Sequence, residues 1–73
     1  MPTNIYINKE PIELFKILKF EGLAATGGEA KMLIANKMVQ LNGTIEIQKR
    51  KKIVSGDEIE FNNIKYAILL GSA

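Results

Sequence analysis

Hydrophobic and polar positions change period twice along this chain. Asn4-Ile5-Tyr6-Ile7 is short and β-prone, and it predicts an edge strand before the turn-like Asn8-Lys9-Glu10. From Pro11 the spacing becomes helical. Leu14, Phe15 and Leu18 share one face of a 3.6-residue wheel, Lys16 and Lys19 lie together on another, and Phe20 falls off the apolar face. Pro11 suits the first helical position, Glu10 and Glu13 suit the positive end of the dipole, and Gly22 is a stop, so a first helix is predicted over residues 11–21. Phe20 is expected to be covered by the N-terminal strand; its functional reading is an exposed partner or base-stacking contact.

In Ala25-Thr26-Gly27-Gly28-Glu29, Thr26 can cap a second helix, and Glu29, placed at the capping-box distance, completes the box. Ala30, Leu33 and Ile34 then form a buried face with Lys31 projecting beside it, and Asn36 or Lys37 ends the helix. Beyond this point the period falls to two. Met38 to Ile47 reads as a hairpin around Asn42-Gly43. A two-residue turn would pair Val39 with Glu46 and split the apolar residues between both faces. A three-residue turn with left-handed Gly43 pairs Val39 with Ile45 and keeps them together, so the bulged turn is expected. Ile53-Val54, a Ser55-Gly56-Asp57 turn, a strand at Glu58-Ile59-Glu60-Phe61, an Asn62-Asn63 turn and a last strand from Ile64 to Leu70 complete the chain. The predicted fold class is α+β: two N-terminal helices packed on a small, mostly antiparallel β-sheet.

Length bounds this reading. With 73 residues there is room for one small domain, burying only about 60% of its unfolded surface, and no cysteine is present to staple it. A composition of 47% hydrophobic and 25% charged residues is that of a folded globular chain. The absence of His and Cys removes the usual zinc, iron and thiol chemistry and the commonest general base, so no enzyme, cofactor or metal site is expected. Asp57, Glu58 and Glu60 read as a solvated face rather than a catalytic pair. No apolar run approaches a membrane span and no leader pattern opens the chain, so no membrane partner and a cytoplasmic location are expected.

Charge adds the functional clue. The net charge is only +2, yet Lys49, Arg50, Lys51 and Lys52 form an unbroken basic run after the hairpin, while acids gather downstream. A second feature points the same way. Gly27 and Gly28 open a helix whose free N–H groups lie one turn from Lys31, so Thr26, Gly27, Gly28 and Lys31 together could hold a phosphate.

Two short helices, a "TGGEAK" helix start, a "VQLNG" hairpin, a basic stretch and a "VSGDEIEF" strand occur here in one order and spacing. This arrangement resembles the RNA-binding domain first recognised in ribosomal small-subunit protein S-four, and most closely its stand-alone YbcJ-like bacterial versions, over roughly residues 11–61. The resemblance implies an alpha-L motif, in which the second helix and the following β-loop make a basic surface for structured RNA, commonly ribosomal or transfer RNA. Partners on that reading include the ribosome or its assembly intermediates. It implicates Thr26, Gly27, Gly28 and Lys31 at the helix start and Lys49, Arg50, Lys51 and Lys52 in the loop, with Lys16 and Lys19 as outlying additions. Larger relatives append this domain to enzymes such as pseudouridine synthases, but no catalytic unit is expected in this chain.

Lys37 departs from the family pattern, because many members carry glycine there; it must accept φ > 0 or the chain must turn differently. The rival reading is a protein-interaction module using a sheet edge and Phe20, and an uncovered final strand, Ile64 to Leu70, would pair across a dimer. A ubiquitin-like sulfur carrier is rejected, since the chain ends Leu70-Gly71-Ser72-Ala73 and not Gly-Gly.

Overall fold

The computed structural model describes residues 3–71. Alternating apolar residues build one five-stranded sheet, whose strands in chain order are β1 (Thr3–Ile7), β3 (Val39–Leu41), β4 (Thr44–Ile45), β6 (Glu58–Phe61) and β7 (Ile64–Leu70). Two short strands, β2 (Ile12–Glu13) and β5 (Lys52–Ile53), pair apart from it, and the helices are α1 (Leu14–Phe20) and α2 (Gly27–Ala35). The spatial order of the large sheet is β1-β7-β6-β3-β4. All its pairings are antiparallel except β1 with β7, which run parallel from Thr3↔Tyr66 to Ile7↔Leu70. Period-two burial leaves Ile5, Ile7, Val39, Ile59, Tyr66 and Ile68 on one face, where they form a single cluster with Leu14, Ile17 and Leu18 of α1 and Ala30 and Ile34 of α2. The α+β expectation therefore holds.

The first strand, the Asn62-Asn63 turn, β6 and β7 lie where the sequence places them. The last strand is not uncovered, however: β7 is internal, between β1 and β6, and the sheet edges are β1 and β4.

The first helix is shorter than its apolar pattern. It begins at Leu14 instead of Pro11, because Ile12 and Glu13 are extended and pair antiparallel with Ile53 and Lys52. Its fully buried side chains are Leu14, Ile17 and Leu18, and Phe15 is only half-buried. Gly22 (φ 74°) ends it as expected, with Gly22 N–H donating to the Lys19 carbonyl and Leu23 N–H to the Leu18 carbonyl. The second helix closes in the same pattern. Lys37 N–H donates to the Ile34 carbonyl and Met38 N–H to the Leu33 carbonyl, and Lys37 takes φ 64°. Lys37 thus accepts the left-handed conformation that Gly22 adopts without a Cβ penalty.

The hairpin overturns the expected bulge. Asn42 (φ 52°) and Gly43 (φ 85°) make a two-residue turn, Gln40 pairs with Ile45 and Leu41 with Thr44, and Glu46 N–H donates to the Val39 carbonyl. Positive φ at both central residues matches the right-handed twist of the strands. Asn42 also fixes the register from outside: its Nδ2 donates to Asp57 Oδ1 at 3.2 Å, its Oδ1 accepts from Glu58 N–H at 2.9 Å, and its own N–H donates to the Glu58 carbonyl at 2.8 Å. These bonds outweigh the apolar pairing that the bulge would have kept. Ile45 and Ile47 are left exposed.

Candidate nucleic-acid interface

The basic run is anchored through its backbone. The N-terminus of α1 has no side-chain cap, since Glu13 makes none; Leu14 N–H instead donates to the Lys51 carbonyl at 2.9 Å and Phe15 N–H to the Lys49 carbonyl at 3.1 Å. Carbonyls of the loop thus satisfy donors that a helix start leaves orphaned. A further bond, Lys51 N–H to the Gln48 carbonyl, makes the loop turn. The side chains of Lys49, Arg50, Lys51 and Lys52 stay exposed while their backbone is held.

Phe15 lies at the centre of what this arrangement brings together. Lys31 Nζ of α2 stands 4.6 Å from its ring centroid, Arg50 Cζ of the loop 5.5 Å, and Lys16 Nζ of α1 6.0 Å. Cations in this range are drawn to the ring's negative face. Gly27 also lies here: a Cβ added to it would stand 3.7 Å from Phe15 Cε2. Lys31 and Arg50 are therefore within about 10 Å of one another through the ring they share. In the sequence Phe15 groups with Leu14 and Leu18 on the apolar face of the first helix and does not interleave with the basic run. The signal available was its position, next to Lys16 and one residue around the wheel from the buried face.

The helix start carries its own acid. Thr26 Oγ1 accepts from Glu29 N–H at 3.1 Å and Glu29 Oε1 accepts from Ala25 N–H at 3.1 Å, so the capping box forms with its return bond at Ala25. Thr26 is thereby a cap. Gly27 and Gly28 N–H are not used by the box.

Arg50 and Lys52 of the loop face different neighbours. Arg50 faces the Phe15 ring, whereas Lys52 lies in β5 opposite Glu13 and lines a cavity with Lys9, Lys16 and Phe20. Glu13 sits between the two groups, its Oε1 3.5 Å from Lys16 Nζ and its Oε2 3.6 Å from an Arg50 guanidinium nitrogen. Lys19 is exposed in the last turn of α1 and is not among the cations over the ring. Phe20 is 65% exposed rather than covered by β1. Among the described residues, no helix is long and apolar enough to cross a membrane.

YbcJ of Escherichia coli (strain K12) is 41% identical over 56 residues, which is 75% of this chain and 80% of that protein. YbcJ of Shigella flexneri matches to the same extent. The solution structure of E. coli YbcJ, described as revealing an alpha-L motif involved in RNA-binding, superposes with a TM-score of 0.70 at 33% identity, covering 94% of this chain and 89% of that one. The family model of the S4 domain matches residues 5–69. With that match spanning β1 to β7, the chain belongs to the S4 domain family.

Proposed function

We propose that this protein binds structured RNA, of the ribosomal or transfer type, by docking its basic surface on the phosphate backbone. The surface comprises Lys31 and the N–H groups of Gly27 and Gly28 at the start of α2, with Lys49, Arg50, Lys51 and Lys52 of the loop and with Lys16. Thr26 shapes it as the helix cap, and Lys19 extends its margin. The observation that carries this reading is the convergence of cations from α1, α2 and the loop on the single Phe15 ring. The alpha-L motif of the YbcJ relative, described as involved in RNA-binding, supports it.

Convergence matters because three elements distant in sequence present fixed charge to one ligand. Phosphate contacts position a protein on RNA without reading sequence. A-form RNA hides its base edges in a narrow major groove and displays backbone and 2′-hydroxyls, so shape dominates recognition.

The test is affinity for an RNA hairpin measured against salt. Neutralisation is preferred to charge reversal, because glutamate at position 50 or 52 would face Glu13. Replacing Lys49, Arg50, Lys51 and Lys52 together by Gln should flatten the log-log slope by about 3 to 4. Lys31→Ala should flatten it by about 1 and weaken binding alike across RNA sequences. Binding that survives the quadruple change with its slope intact overturns this surface.

A further inference from the structure

Phe20 has no role in the surface around Phe15, yet it is the most exposed of the large apolar side chains described. It stands between two cavities. One, of about 350 Å³, is lined by Lys9, Lys16 and Lys52 together with Ile12, Glu13 and Phe20. The other, of about 320 Å³, lies between α1 and the end of β1 and shares Lys9, Ile12 and Phe20. Each is of the size that holds a small organic group.

We infer that Phe20 and its flanking lysines form a second RNA contact, a stacking site for one unpaired nucleobase beside the phosphate-binding surface. The inference rests on the RNA-binding reading proposed above. Charge selects the occupant. Three lysines line the first cavity, and its acid, Glu13, is already held by Lys16 and Arg50. An aromatic face flanked by cations suits a base with its phosphates, because stacking tolerates any base and the lysines take the backbone.

The site is also continuous with the proposed surface. Lys16 reaches the Phe15 ring and lines the Phe20 cavity, and Lys52 belongs to the basic run and lines the same cavity. Phe15 and Phe20 are about 7.5 Å apart along the α1 axis, by the rise per residue. A strand whose phosphates pass Arg50 and Lys16 is thereby led to Phe20. An RNA with an unpaired nucleotide next to its helix would engage both faces of α1, whereas a fully paired one would engage only the first.

The experiment compares two RNA hairpins, one fully paired and one with a single bulged 2-aminopurine, on wild type, Phe20→Leu and Phe20→Tyr. Wild type should prefer the bulged hairpin by about 5- to 100-fold. Binding should also quench the 2-aminopurine. Phe20→Leu keeps an apolar side chain at an exposed position; it should lose the preference and the quenching while its affinity for the paired hairpin is unchanged, and Phe20→Tyr should retain both. Equal preference in wild type and Phe20→Leu overturns the inference and leaves the phosphate surface standing. Failure of wild type to bind either hairpin removes the RNA reading and this inference with it. Self-association lost in Phe20→Leu without any change in RNA preference would assign the face to a protein contact instead.

Discussion

Lys31 Nζ lies 4.6 Å from the centroid of the Phe15 ring, which ties the first turns of α2 to the first residues of α1. The ring meets Arg50 from the loop as well, so one half-buried aromatic sets the spacing between cations of separate elements. Each such contact contributes about 0.5–1 kcal/mol at an exposed site. Their larger effect is on order, since long cationic side chains lose rotamer freedom when they bind phosphate.

Replacing Phe15 by Leu separates this ordering from charge. The variant keeps every cation and most of the apolar contact, so its stability should fall by about 1 kcal/mol in urea unfolding. Affinity for an RNA hairpin should fall roughly 3- to 10-fold, because Lys31 and Arg50 lose the ring that orders them before they bind, with the salt slope nearly unchanged. Undiminished affinity would reduce the ring to core packing.

Glu13 restrains Lys16 and Arg50, and its removal should be felt by any polyanion. At roughly 6 Å in water a single charge is worth about 0.7 kcal/mol, so Glu13→Gln should tighten RNA binding about threefold or more. Stability should change by less than about 1 kcal/mol, because the pairs are weak and Lys16 and Arg50 are largely exposed. Parallel RNA titration and urea unfolding of the variant check both statements.

Gly22 and Lys37 hold equivalent positions past the ends of their helices, at φ 74° and 64°. Only the lysine carries a Cβ into that conformation. Lys37→Gly should therefore stabilise the fold by about 0.5–1 kcal/mol, the part of the left-handed penalty not returned as unfolded-state entropy. For a domain of this size the melting temperature should rise by about 2–8 °C, measurable by circular dichroism.

The segment before β2 is tied to the turn after β5 by Glu10, whose Oε1 accepts from Ser55 N–H at 2.8 Å. That backbone donor, then the Ser55 hydroxyl, holds the Glu10 carboxyl below the ordinary glutamate value. The charged form is thus favoured by folding. Its contribution is fully present above the ordinary glutamate value and is lost as pH falls through the lowered one. Urea midpoints followed into that acid range should fall for wild type and change less for Glu10→Gln, the two converging once the carboxyl is protonated.

Much of this fold is legible because its signals are local. The capping box at Thr26 and Glu29, the Gly22 stop and the Asn62-Asn63 turn each involve residues a few positions apart, and each forms. The failures share the opposite property. The start of α1 is set by Ile53 and Lys52 pairing with Ile12 and Glu13 and by carbonyls of Lys49 and Lys51. The hairpin register is set by Asp57 and Glu58 gripping Asn42. Within the candidate site the basic residues were visible as charge, but the ring that gathers three of them was not. Wheel position alone cannot tell an aromatic at the margin of a core from one inside it.

The parallel pairing of β1 with β7 has a kinetic consequence. Residues from Thr3 to Ile7 meet Tyr66 to Leu70 across nearly the whole described chain, and edge strand β1 joins the sheet only once β7 lies against β6. Loop closure over such a span is entropically unfavourable until the contacts it permits are made. Any fragment that stops short of Ile64 leaves the sheet without its second strand, so partial versions of this chain should remain unfolded and acquire structure in one step when β7 is supplied.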